Sequence, residues 1–123
     1  MLGIHLTLDL YECSEKKISS LEFVSSFLER LADTIKVRKL SRPHVFLIPP
    51  NPETFDKGGI SGYILIAESH ITIHTFVKQR FASVDIFSCK EFDVKKAEEF
   101  VIRELEPKKY EKKHLERGKE FIK

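Results

Sequence analysis

Alternating aliphatic and polar residues mark the first element of the chain. Over residues 2–11 every second residue is aliphatic, and the residues between are small, polar or aromatic. The aliphatic positions are Leu2, Ile4, Leu6, Leu8 and Leu10. A period of two is typical of a strand with one buried face. The pattern therefore predicts a strand whose second, polar face is free to line a site or a partner surface.

Two segments have the spacing of amphipathic helices. In the first, Ser19 and Glu22 form a capping box, and apolar residues then recur every three or four positions as far as Ile35. In the second, Asp93 is the expected N-cap and Pro107 ends the helix. Each helix should therefore bury one apolar face against the sheet.

Five further strands are predicted from short apolar or alternating runs. They cover residues 44–48, 60–68, 69–76, 81–88 and 108–115, and residues 77–80 form a hairpin connection. This order predicts one α+β domain over residues 1–123, a two-layer sandwich with two helices on one face of a mainly antiparallel sheet. The other sheet face would be open in a monomer, and a homodimer would bury it.

Composition and charge narrow the function classes. With 123 residues, 41% hydrophobic and 33% charged, the chain is typical of one globular domain. It lacks the apolar run of roughly 20 residues that a membrane span needs, and no secretory signal is evident. Cys13 and Cys89 are too few for a disulfide scaffold, which favours a reducing cytoplasm. Residues 108–123 carry a net charge of +4 but offer only Tyr110 and Phe121 for stacking, so no nucleic-acid partner is expected.

The densest chemistry lies in the strand predicted at residues 69–76. His70 and His74 share its polar face, and pairing around the 77–80 turn brings Cys89 near Ser69. Such residues could form a metal site from His70, His74 and Cys89, although the usual zinc spacings are missing. They could equally pair Cys89 with His74 in a hydrolase, or simply decorate an interface. The residues by themselves leave these three interpretations open.

A longer pattern continues without gaps from Ser61 to Cys89. It comprises Ser-Gly at 61–62, Glu-Ser-His-Ile-Thr-Ile-His at 68–74, and Ala-Ser-Val-Asp-Ile-Phe-Ser-Cys at 82–89. His5, Tyr11-Glu12-Cys13 and Glu116-Arg117-Gly118 extend it over nearly the whole chain. The pattern closely resembles the small prokaryotic S-adenosylmethionine decarboxylase proenzymes.

This resemblance implies that the protein makes its own cofactor. Ser69 would attack the carbonyl of Glu68, and the chain would split into residues 1–68 (the β chain) and 69–123 (the α chain). A pyruvoyl group would remain on residue 69 and form a Schiff base with the substrate amine, so neither pyridoxal phosphate nor a metal is expected.

The resemblance also implies roles for individual residues. Ser61 would help to hold the oxyanion of self-cleavage, and His74 would remove the Cα proton of Ser69. Cys89 would return a proton to the substrate after CO₂ leaves. Glu12 is a weaker candidate for lining the site. His70 is expected to be only a structural neighbour of Ser69.

One departure from the family pattern concerns the substrate. Family members usually continue after His-Thr with aromatic-Pro-Glu, whereas this chain has Phe76-Val77-Lys78. Phe76 and Phe55 keep aromatic positions that would hold adenine, but a lysine cannot accept hydrogen bonds from ribose hydroxyls. The resemblance implies that the protein is a homodimer of processed units. It also implies that the first expected substrate is S-adenosylmethionine, which is decarboxylated for spermidine synthesis. Arginine or ornithine is the alternative substrate, and an unprocessed regulatory paralogue is the non-enzymatic hypothesis.

Overall fold

A seven-stranded, entirely antiparallel sheet carries the fold in the computed structural model, which describes residues 1–123. The strands are β1 (Gly3–Tyr11), β2 (Arg38–Lys39), β3 (His44–Ile48), β4 (Gly59–Ala67), β5 (Ser69–Phe76), β6 (Phe81–Ser88) and β7 (Lys109–Arg117). The helices are α1 (Glu15–Ile18), α2 (Leu21–Thr34) and α3 (Val94–Leu105). The strand order is β2-β4-β5-β6-β1-β7, and β3 also pairs with β4. None of the helices is long and apolar enough to cross a membrane.

The hydrophobic core lies between the helices and one face of the sheet. The alternating leucines of β1 that face it, Leu6, Leu8 and Leu10, are fully buried, as their pattern predicts. α2 and α3 complete the core with residues such as Phe27 and Val101. The opposite face of the sheet carries the alternate residues of the same strands and no helix, and it is called the open face below. The predicted α+β sandwich is therefore confirmed.

The helices differ from the sequence prediction in two places. The short helix α1 was not predicted, because four residues are too few to show helical periodicity. The capping box at Ser19 is wrong: the hydroxyl of Ser20 accepts the N–H of Phe23 and caps α2, while Ser19 is the C-cap of α1. The sheet thus carries three helices rather than two, although α2 and α3 are the two predicted.

A buried threonine ties the helix layer to the sheet beside the candidate site. The Oγ1 of Thr75 accepts the N–H of Ile60 at 3.0 Å and donates to the carbonyl of Ile18 at 2.9 Å. Thr75 is only 4% exposed, so both bonds are shielded from water. One side chain thereby joins α1, β4 and β5.

Candidate active site

The turn between β4 and β5 presents the bond predicted to be cut. Pairing of β5 with β6 places Ser69 opposite Ser88, so the chain continues with Glu68 beside Cys89. The N–H of Cys89 donates to the carbonyl oxygen of Glu68 at 2.7 Å. A donor on this oxygen withdraws electron density from the carbonyl carbon and would stabilise an oxyanion formed there.

A histidine that sequence reasoning treated as a bystander contacts the predicted nucleophile. Nδ1 of His70 lies 3.3 Å from Oγ of Ser69. When Nδ1 carries no proton it can accept the hydroxyl proton of Ser69, which is the role of a general base. The signal for this contact was only the adjacency of the two residues, which rarely indicates function by itself. Ser69 and His70 are both half-buried.

Two further candidate residues, Ser61 and His74, contact each other on the open face. Ser61 lies opposite His74 in the register of β4 and β5, and Ser61 Oγ is 2.9 Å from Nδ1 of His74. His74 is exposed, so its other ring nitrogen is available to a bound molecule. The two residues can therefore act as one hydrogen-bonded unit.

Distance separates this unit from the cleavage bond. His74 follows Ser69 by five residues on the extended strand β5, which corresponds to about 16 Å. Within one chain, His74 therefore does not reach the Cα proton of Ser69. The same spacing excludes a Cys89–His74 hydrolase within one chain, because Cys89 lies at the Ser69 end.

The metal interpretation of these residues is wrong. His70 and His74 are four residues apart on β5, or about 13 Å, which is too far for them to share one ion. No group of three or more His, Cys, Asp or Glu side chains is arranged to hold a metal. Within one chain, His70, His74 and Cys89 therefore cannot form the metal site considered from the sequence.

The aromatic candidates lie at the other end of the sheet from Ser69. The ring centroids of Phe55 and Phe76 are 5.7 Å apart with an interplanar angle of 36°, so the two rings contact each other. Phe55 is 72% exposed on its loop and can move aside at little cost in packing. Glu12, directly after β1, is also at this end, and its Oε1 lies 3.9 Å from Nζ of Lys108. Phe55, Phe76 and Glu12 are thus distant from the Ser69 of their own chain.

The two cysteines differ in accessibility. Cys13 is fully buried, and burial raises the pKa of its thiol to about 11. Cys89 is half-buried at the cleavage-site end of β6. Cys89 is therefore the thiol that a substrate could reach.

Arg117 and His5 contact each other on the open face, near the end of the sheet that carries Cys89. Arg117 contacts Nδ1 of His5 at 3.0 Å, and its guanidinium stacks 4.9 Å from the ring centroid of Phe87. Nε2 of His5 has no hydrogen-bond partner and lies 4.0 Å from Asp85. Burial is the main cause that lowers the pKa of His5. The imidazole is consequently held in its neutral form more strongly than a free histidine.

Comparisons with known proteins agree with the pattern on this sheet. Residues 4–118 match the family model described as S-adenosylmethionine decarboxylase. A relative from a Sulfurihydrogenibium species is 36% identical over 95% of this chain and 83% of its own length. A relative from Clostridium botulinum is 32% identical over 95% of both chains, and both relatives are named S-adenosylmethionine decarboxylase proenzyme.

A solved structure extends the likeness to three dimensions. The crystal structure of the adenosylmethionine decarboxylase from Aquifex aeolicus superimposes with a TM-score of 0.81 at 31% identity. The match covers 99% of this chain and 93% of that one. With a family model over most of its length and relatives above 30% identity, this chain belongs to the S-adenosylmethionine decarboxylase family.

Proposed function

We propose that the protein is a pyruvoyl-dependent decarboxylase of S-adenosylmethionine that matures by cutting itself between Glu68 and Ser69. The product would be the aminopropyl donor for spermidine synthesis in the cytoplasm. The observation that carries the proposal is the 2.7 Å hydrogen bond from the N–H of Cys89 to the carbonyl of Glu68. The relatives' description as proenzymes supports the same reading.

Self-cleavage begins at the carbonyl of Glu68. As Oγ of Ser69 attacks, its proton passes to Nδ1 of His70, and the developing oxyanion stays bonded to the N–H of Cys89. The C–N bond between the two residues then breaks as His70 passes that proton to the departing nitrogen, which leaves an ester and a free amine on residue 69. An amide is a poor electrophile, so this donor is the feature that makes the exchange feasible.

Removal of the Cα proton of residue 69 completes the cut. The Cβ–Oγ bond of the ester breaks, Glu68 leaves as a carboxylate, and addition of water with loss of ammonia converts residue 69 into the pyruvoyl group. When present, that group withdraws electrons from the substrate as CO₂ leaves. The donor at Glu68 and the hydroxyl of Ser69 fit its formation. The thiol of Cys89 would then hold the proton that returns to the substrate α-carbon.

The base for the Cα proton comes, in this proposal, from a second copy of the chain. Ser61 and His74 point out of the open face, about 16 Å from the Ser69 of their own chain. The open face also exposes Phe46, Tyr63 and Leu65, with exposed fractions of 53%, 36% and 45%. Packing two open faces together would bury these apolar groups and carry each Ser61–His74 pair to the partner's cleavage end.

Intact mass is the first test of self-cleavage. Purified protein should give two species with the masses of residues 1–68 and of residues 69–123 with an N-terminal pyruvoyl group. Ser69→Ala is the matched control and should remain a single chain. A wild-type chain that stays uncut through prolonged incubation would contradict the mechanism and favour the regulatory paralogue.

Complementation tests the contribution of the second copy. His74→Ala should cleave slowly alone, because it lacks the base, and Ser69→Ala cannot cleave at all. Co-expressed with a mass tag on one chain, the Ser69→Ala chain should restore cleavage of its His74→Ala partner. The double variant carrying both substitutions is the control and should restore nothing. Equal cleavage of His74→Ala with either partner would refute the shared site.

Substrate choice is tested on the cleaved enzyme by release of CO₂. S-adenosylmethionine should be the preferred substrate because Phe76 and Phe55 offer aromatic faces to a nucleoside. Arginine and ornithine serve as competitors in the same assay. Faster release from either amino acid would contradict the proposed substrate while leaving the cleavage chemistry intact.

A further inference from the structure

The last six residues fold back over the end of the sheet that carries Cys89. The chain bends at Gly118, whose φ is 61°, and Leu2 N–H donates to the carbonyls of Arg117 and Gly118 at 2.9 and 3.0 Å. A Cβ on Gly118 would lie 2.6 Å from Cβ of Leu2, so glycine permits both the backbone angle and the close approach. Residues 118–123, called the tail below, are thereby anchored to the start of β1.

The tail ends at the main chain of Cys89. Nζ of Lys123 donates to the carbonyl oxygen of Cys89 at 2.8 Å. The N–H of the same residue donates to Glu68, so hydrogen bonds occupy both main-chain polar groups of Cys89. Gly3 packs against the same residue, since a Cβ there would come within 2.9 Å of Cys89 Cα. Gly3 of β1 and Lys123 of the tail thus both contact the main chain of Cys89.

We infer that Lys123 is a positioning residue that holds Cys89 against the carbonyl of Glu68. The inference rests on the proposed function for its consequence, because the N–H of Cys89 is the donor on which self-cleavage depends. Without the Lys123 ammonium, the carbonyl of Cys89 loses its hydrogen bond and the main chain there moves more freely. The hydrogen bond from the N–H of Cys89 to Glu68 is then broken for a larger fraction of the time. The thiol carried by the same residue then loses its fixed position as well.

The expected size of the effect follows from the exposure of the contact. Lys123 is exposed, and interactions of exposed charged side chains change an equilibrium by roughly two- to fivefold. Hydrogen exchange of the Cys89 amide reports this opening directly. The Lys123→Met substitution should therefore increase the exchange rate of that amide by roughly two- to fivefold.

Exchange is measured by NMR in the Ser69→Ala chain, which cannot cleave. Lys119→Met is the matched control, since Lys119 lies on the same tail without a bond to Cys89, and it should leave the rate unchanged. Lys123→Arg keeps a cationic donor and should restore most of the protection. Equal exchange in Lys123→Met and Lys119→Met would overturn the inference.

The same substitutions in the Ser69 chain separate this inference from the proposed function. Because a less firmly positioned Cys89 N–H stabilises the oxyanion on Glu68 less well, Lys123→Met should lengthen the half-time of cleavage, and Lys123→Arg should restore it. A wild-type chain that never cleaves would refute the proposed function, while the exchange data would still decide whether Lys123 positions Cys89. Faster exchange with an unchanged cleavage half-time would overturn the link between Lys123 and the reaction.

Discussion

Replacing Thr75 with valine removes a buried hydroxyl that joins three elements while keeping nearly the same shape. The hydroxyl accepts from Ile60 N–H and donates to the carbonyl of Ile18, and the side chain is 4% exposed. A buried polar group left without its partner costs about 1–3 kcal/mol, whereas a gained methyl returns about 0.8 kcal/mol. With two partners affected, Thr75→Val should lower the free energy of unfolding by about 2–4 kcal/mol.

Urea unfolding followed by circular dichroism measures this loss. Both variants are made in the Ser69→Ala chain, so that cleavage does not intervene, and the protomer concentration is held constant because a dimer's stability depends on it. Thr72→Val is the matched control: Thr72 lies on the same strand but faces away from the core and makes no side-chain hydrogen bond, so it should lower stability less than Thr75→Val does. Equal stabilities for the two variants would refute the role assigned to the Thr75 hydroxyl.

Three further substitutions or treatments test other parts of the structure. Gly59→Ala should destabilise the chain by about 3 kcal/mol or more, because its Cβ would lie 1.8 Å from the carbonyl oxygen of Thr75; a near-native urea midpoint would contradict this. Burial lowers the pKa of His5 in the folded state from 6.5. As the pH drops below 6.5, His5 is therefore protonated more readily in the unfolded state than in the folded state, and the free energy of unfolding should fall. The urea midpoint should fall between about pH 7 and about pH 5, and His5→Gln should make this fall smaller. An equal fall in the wild type and in His5→Gln would exclude His5 as the cause of the pH dependence. Iodoacetamide at about pH 8 should label Cys89 in the folded protein but should label Cys13 only after unfolding. The buried Cys13 thiol, with a pKa of about 11, is ionised in only about one molecule in a thousand at that pH. Equal labelling of the two cysteines in the folded protein, measured by peptide mapping, would refute this.

Much of the sheet could be predicted because its elements are local and strongly patterned. β5 and β6 have the predicted bounds, since the 77–80 turn separates two clear alternations. The sequence did not predict α1 and β2, because segments of four and two residues are too short to show a hydrophobic periodicity. β7 pairs with β1 along nine residues although all its side chains are exposed, so hydrophobicity could not reveal its full length.

The candidate site was predictable where strand register determines it. Once the β4–β5 turn is located, Ser61 must lie opposite His74, and the next hairpin brings Cys89 to Glu68. The contact from Lys123 to Cys89 depends on how a tail bends in space, and no periodic pattern encodes that bend. Family resemblance named the chemical residues, but only the strand spacing revealed that His74 and Ser69 of one chain are separated.

The strand order has a consequence for the proposed cleavage. A cut at Glu68–Ser69 assigns β1 to β4 to one fragment and β5 to β7 to the other, yet β1 lies between β6 and β7, and β4 adjoins β5. The two pieces would therefore be interleaved along three strand seams, and each would contribute side chains to one shared core. Neither piece can leave without dismantling the sheet. Once cut, the protein would therefore be held together by its interleaved strands and shared core rather than by a covalent bond.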